Sequence, residues 1–196
     1  NRNFPQAEYF FKEVLSNYPE NKTAQICYGR AIGLNGNAIE ALAHFNQLLK
    51  TYPNDFEIKL NYGEALLWNQ QFNNAKTYYE KLINEKPQNF SALLGYANTL
   101  SNLKAYQKAL NYVNKALVVS PNNNGAITSM KYIYLGYAYQ KQQSQKISEA
   151  QAILKEGLDQ QTYDMVRKVL GLQPLREAVT AGQRITDNVR KNLESK

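Results

Sequence analysis

A chain with one cysteine and one histidine has little with which to do nucleophilic or metal chemistry. Cys27 cannot form a disulfide within the chain, so cysteine usage indicates neither an oxidising nor a reducing compartment. His44 and Cys27 fall on different expected helices, and His44 reads as a surface or boundary side chain. HExxH, CxxC, GxSxG and glycine-rich phosphate-loop runs are all missing. The carboxylate pairs Glu80/Glu85 and Glu149/Glu156 lie along solvated helix faces, where ordinary charge patterning explains them. These absences exclude the common hydrolytic, redox and nucleotide chemistries, so no enzyme, no cofactor and no metal site is expected. No run approaches the ~20 apolar residues needed to span a bilayer. The chain opens on Asn-Arg-Asn-Phe with no charged-then-apolar leader, so a processed or excised piece is expected. A soluble domain of a larger or processed protein, cytoplasmic or periplasmic, fits equally.

Charge of one sign is also never concentrated. The net charge of +7 invites a nucleic-acid or membrane-surface reading. Basic minus acidic residues, however, come to 0, +3, +1 and +3 over 1–55, 56–123, 124–159 and 160–196. A surplus so diffuse describes a soluble surface better than a phosphate track.

Present in abundance is repetition. Pro19, Pro53, Pro87 and Pro121 stand 34 residues apart, as do Ala7, Ala41, Ala75 and Ala109. Tyr28, Tyr62 and Tyr96 keep the same interval and are followed by Gly29, Gly63 and Ala97. Each unit reads as two amphipathic helices. In one, Ile58, Leu60, Tyr62, Ala65, Leu66 and Trp68 form a broad apolar face, and Phe72, Ala75, Tyr79, Leu82 and Ile83 form the next. Polar turns over 35–37, 69–74 and 102–107 separate them, and proline closes each unit because it cannot continue a helix. The small residue at 29, 63 and 97 implies close helix approach. Nothing alternates with a period of two, so no sheet is expected.

These features closely resemble the tetratricopeptide repeat family. The matches are Tyr28-Gly29, Ala41, Phe45 and Pro53; Tyr62-Gly63, Ala75, Tyr79 and Pro87; and Tyr96-Ala97, Ala109 and Pro121. Val113 departs by replacing the usual aromatic, and Gln25, Lys59 and Leu93 replace the family's early tryptophan. The resemblance implies an all-α, right-handed superhelical solenoid with a C-terminal helical extension. The array is expected over 4–159, with a partial repeat at 4–21 and repeats at 22–55, 56–89, 90–123 and 124–159. The partial repeat matches a second helix only, so the chain is expected to begin mid-repeat.

The period breaks once. Leu-Gly-Tyr-Ala recurs after 41 residues, and Ala150 follows Ala109 by the same 41. Seven extra residues are nearly two helical turns, so the fourth unit's first helix is expected to lengthen, starting near Gly125. A seven-residue loop is the alternative. Beyond Asp159 the repeat fades, and 160–196 reads as helices that cap the array or project from it to meet another subunit.

By resemblance, first helices line the inner wall and hold ligands there. The positions that would do so include Thr23, Ile26, Arg30 and Leu34; Glu57, Leu60, Glu64 and Trp68; Ser91, Leu94, Asn98 and Asn102; and Tyr132, Leu135, Tyr139 and Gln143. One ladder reads Arg30, Glu64, Asn98, Tyr139, in which Arg30 and Glu64 either pair with each other or face a ligand. Trp68 reads either as half-packed core or as a binding aromatic. A chaperone-type carboxylate clamp uses Lys and Asn where Ile26 and Arg30 stand, Asn at Asn61, and Lys and Arg where Ser91 and Gly95 stand, so only Asn61 fits. The expected site is therefore Arg30, Glu57, Asn61, Glu64, Trp68, Asn98, Asn102, Tyr132 and Tyr139, concentrated on repeats two to four. The expected function is a non-enzymatic scaffold holding a protein segment within a larger assembly. RNA binding is one alternative, opposed by Glu57 and Glu64 beside a lone Arg30. A spacer, or a homo-oligomer joined through the C-terminal helix, is the other.

Overall fold

The computed structural model describes residues 3–143, 147–160 and 163. Among them the chain forms nine α-helices and no strand. These are α1 (Phe4–Asn17), α2 (Lys22–Leu34), α3 (Ala38–Thr51), α4 (Phe56–Trp68), α5 (Phe72–Glu85), α6 (Phe90–Asn102), α7 (Tyr106–Val119), α8 (Asn124–Gln143) and α9 (Ile147–Gly157). The fold is an all-α helical-repeat solenoid. Two compact units divide it: the first ends at Ser129, and the second begins at Met130.

In the first unit every boundary has a local cause that recurs at 34 residues. Two residues after each proline stands an Asn or Asp that caps the next helix. Asn21, Asp55, Asn89 and Asn123 accept from the backbone N–H groups of Ala24, Ile58, Ala92 and Ala126 at 2.9–3.1 Å. The residue before each proline leaves the helical region. Tyr18, Tyr52, Lys86 and Ser120 have φ from −141° to −128° and ψ from 65° to 86°. Between paired helices the chain reverses through Gly36, Gln70 and Lys104, all at positive φ. There Asn37, Gln71 and Ala105 donate their N–H back to the carbonyls of Ile32, Leu66 and Leu100, satisfying acceptors the helix end would otherwise expose.

The core follows the same period. Ala41, Ala75 and Ala109 are fully buried, and so are Phe45 and Val113. A Cβ on Gly29 would lie 2.7 Å from the Phe45 ring, and one on Gly63 would lie 2.9 Å from the Tyr79 ring. The small first-helix residue therefore makes room for the large second-helix residue. Burying a ring such as Phe45 contributes about 1.5–3 kcal/mol. On the outer rim of the same contacts, Tyr28 packs edge-on to His44, Tyr62 to Tyr78 and Tyr96 to Tyr112. Helices α2, α4 and α6 pack directly on one another and form one layer.

α8 has 20 residues where α2, α4 and α6 have 13, so over 124–131 the chain is helix and not loop. In the second unit Ala138, Ala150, Leu154, Leu158 and Tyr163 form the core, with Leu135 and Ile153 against it. Gly157 meets the ring of Tyr134. The C-terminal helices expected within 160–196 lie, apart from Gln160 and Tyr163, outside the described residues.

Candidate functional site

The α2–α4–α6 layer lines an open cavity of about 290 Å³ in the first unit. Arg30 comes from α2; Glu57, Leu60, Asn61, Glu64 and Leu67 from α4; Ser91, Leu94, Gly95 and Asn98 from α6; and Tyr79 from α5. One wall of it is shaped by a missing side chain. The positions Cys27, Asn61 and Gly95 are 34 residues apart, and at Gly95 that position carries no side chain. Tyr79 occupies the room this leaves: a Cβ on Gly95 would overlap its ring.

Asn61 is a buried polar residue on the wall. It is 5% exposed. Its Nδ2 donates to the Glu57 carbonyl at 2.8 Å, one helical turn back. That carbonyl can only accept, so it determines which end of the carboxamide faces it. The remaining Oδ1 is buried and has no hydrogen-bond partner among the described residues. Such an acceptor costs about 1–3 kcal/mol when nothing donates to it.

Charge in the cavity is similarly unbalanced. Burial pushes the Glu64 carboxyl above the usual carboxylate range, and the Arg30 charge opposes this without cancelling it. Arg30 itself is exposed, and among the described residues it makes no contact ion pair with Glu64. Burial, and secondarily the Glu64 charge, push the Tyr79 phenol up as well.

Of the residues expected from the sequence, the cavity brings together Arg30, Glu57, Asn61, Glu64 and Asn98. Trp68 lies elsewhere, half-buried, with its ring against Gly33. Asn102, exposed at the end of α6, donates to the Asn98 carbonyl at 2.9 Å. Tyr132 and Tyr139 stand on α8 in the second unit, 68% and 53% exposed. Leu67, Tyr79 and Gly95 were not anticipated; the glycine at the Asn61 position was the signal that could have found them. His44 is half-buried, and its Nε2–H donates to the Gln25 carbonyl at 2.8 Å. Burial lowers its pKa, which keeps the ring neutral and structural. Among the described residues no three His, Cys, Asp or Glu side chains gather to hold a metal. Nor is any helix there long and apolar enough to cross a membrane.

Comparison with known proteins agrees with the repeat reading. The family described as tetratricopeptide repeat matches residues 63–125. No curated protein matches the chain. Among solved structures, the chain is similar to TTC0263, a thermophilic TPR protein of Thermus thermophilus, at 17% identity. That match covers 86% of this chain and 89% of the other, with a TM-score of 0.58. It is also similar to MamA from Desulfovibrio magneticus RS-1, at 17% identity over 80% and 84% of the two chains, TM-score 0.57. A tetratricopeptide repeat protein from Parabacteroides merdae matches at 17% identity over 86% and 79%, TM-score 0.54. At these identities the likeness is one of fold, and the resemblance to the tetratricopeptide repeat family holds.

Proposed function

From this tetratricopeptide-type fold we propose that the protein is a non-enzymatic scaffold, and that the α2–α4–α6 layer receives a protein segment within a larger assembly. The observation that carries the reading is that three consecutive repeats contribute polar side chains to one cavity: Arg30 from α2, Asn61 and Glu64 from α4, and Asn98 from α6. An extended segment brings backbone N–H groups and side-chain donors to such a wall, and a helical-repeat face holds it along several units. Arg30, Glu57, Asn61, Glu64 and Asn98 contact the segment directly. Asn102, at the end of α6, belongs to the same reading; Tyr132 and Tyr139 stand in the second unit and would be separate contacts there.

The test uses peptides selected from a random displayed library on the intact chain. Binding should fall with Asn98→Ala and stay unchanged with Thr23→Ala. If only Thr23→Ala weakens it, the placement is wrong. If neither matters and Lys76→Glu on α5 abolishes binding, the second-helix face is the interface. RNA binding at physiological salt that falls steeply with salt and is lost in Arg30→Ala would replace the protein segment with a nucleic acid.

A further inference from the structure

We propose that the open face of α1 docks one amphipathic helix of a partner protein, a helix carrying an aromatic residue followed by Gly or Ala. This surface is separate from the inner wall, so the proposal goes beyond the scaffold reading and does not rest on it. α3 and α5 are each held between two first helices, α3 between α2 and α4, and α5 between α4 and α6. α1 packs on α2 as α3 packs on α4, and no helix precedes it among the described residues. The difference shows in burial. Ala41, Phe45 and Leu48 are buried on α3, and Ala75, Tyr79 and Leu82 on α5. Their equivalents on α1, namely Ala7, Phe11 and Val14, are only half-buried, and Phe10 beside them is 58% exposed. The spacing of Ala7, Phe10, Phe11 and Val14 is that of a helix-binding ridge.

What covers the same positions in the following repeats specifies the occupant. Phe11 corresponds to Phe45 and Tyr79, whose rings lie so close to Gly29 and Gly63 that a Cβ there would stand 2.7 and 2.9 Å away. Phe10 corresponds to His44, Tyr78 and Tyr112. Each of those rings packs edge-on to the tyrosine just before the small residue, at centroid distances of 5.4, 5.0 and 4.6 Å. α1 has both rings and neither cover. Phe10 and Phe11 meet at 5.3 Å and 74°, close to the 5.6 Å and 75° of His44 and Phe45 in a complete repeat. The receiving rings thus already hold the geometry of an occupied repeat, which keeps the ordering cost of docking low. A small residue on the incoming helix lets its axis approach over Phe11, and the aromatic before it meets Phe10 edge-on. A second copy is a poor source of that helix. Tyr28-Gly29, Tyr62-Gly63 and Tyr96-Ala97 already cover their own second helices, and Ala138, after Tyr137, lies in the core of the second unit.

The experiment adds a fluorescein-labelled synthetic peptide of residues 55–71, the α4 sequence with its Tyr62-Gly63 pair, to the intact chain. Anisotropy should show saturable binding, and backbone NMR shifts on the isotope-labelled chain should centre on α1. The same peptide with Gly63→Leu should bind at least about tenfold more weakly, because the added side chain holds the axes apart. In the chain, Phe10→Ser should weaken the parent peptide about fivefold or more. Ile39→Ser, at an exposed apolar residue of α3, should leave it unchanged. Both substitutions fall on the surface, and unchanged circular dichroism confirms that each variant is folded. Equal binding of the two peptides overturns the proposal, as do insensitivity to Phe10→Ser, equal loss with Ile39→Ser, shifts centred away from α1 or no saturable binding. Concentration-dependent self-association of the chain alone, abolished by Phe10→Ser, would assign the face to a second copy and overturn it as well. Each of these failures leaves the inner-wall reading standing, because Asn98→Ala on α6 tests that face separately.

Discussion

The ring of Trp68, at the end of α4, rests on Gly33 of α2, so closely that a methyl group on Gly33 would overlap it. One side chain thus joins two consecutive repeats through a bare backbone. Trp68 is also packed against the cluster of Ile26, Phe45, Leu48, Ile58 and Ala65. Gly33→Ala should therefore destabilise the fold by about 1–3 kcal/mol, the usual cost of forcing atoms into a filled core. Chemical denaturation followed by tryptophan fluorescence measures it directly, since this is the only tryptophan. An unchanged midpoint would mean that the ring moves aside freely.

The three inter-helix turns make a second prediction. Gly36 has φ +99°, while Gln70 and Lys104 hold φ of 56° and 60° despite carrying side chains. A left-handed residue with a Cβ costs about 1–2 kcal/mol relative to glycine. Gln70→Gly and Lys104→Gly should each recover part of that as added stability, less what glycine loses in chain entropy. Gly36→Ala should go the other way. All three are read from thermal midpoints of the intact chain.

Asp55 caps α4 through the N–H groups of Glu57 and Ile58, and also meets Lys22 at 2.6 Å. The hydrogen bond from Lys22, with further contributions from the capped N–H groups, holds its carboxyl below the usual range. A depressed carboxylate contributes stability that is present above its ordinary pKa and is lost as pH falls through the lower folded value. Asp55→Ala should cost about 0.5–2 kcal/mol at neutral pH, a typical cap loss. Asp55→Asn should keep most of the cap and remove the acid-dependent part. Stability of the two variants compared between neutral and acidic pH distinguishes cap from charge.

Most of the fold is legible because the repeats enforce it. The proline, alanine and tyrosine ladders mark helix ends and buried faces directly, and the caps at Asn21, Asp55, Asn89 and Asn123 form a fourth ladder equally plain to see. The site was only half legible. Arg30, Glu57, Glu64 and Asn98 follow from which helix lines the inner wall. The wall of the cavity also includes the Tyr79 ring laid on Gly95 and the Asn61 amide turned toward its own helix. Those are facts of rotamer and neighbour, and no spacing rule encodes them. Trp68 shows the reverse: its position on the ladder suited a binding residue, while the glycine one repeat earlier draws its ring into packing.

Glu64 supplies a prediction that links stability to pH. Burial raises its carboxyl pKa, with Arg30 only partly opposing the shift. A carboxyl raised in the folded state penalises folding once it ionises. The penalty is absent below the ordinary carboxylate pKa of about 4.3 and grows as pH rises to the folded value. Glu64→Gln should therefore be more stable than the parent chain at neutral pH, and the difference should close as pH falls below that ordinary value. Paired thermal melts across this range measure the effect. If Glu64→Gln is less stable at every pH, Glu64 is instead a structural partner of Arg30.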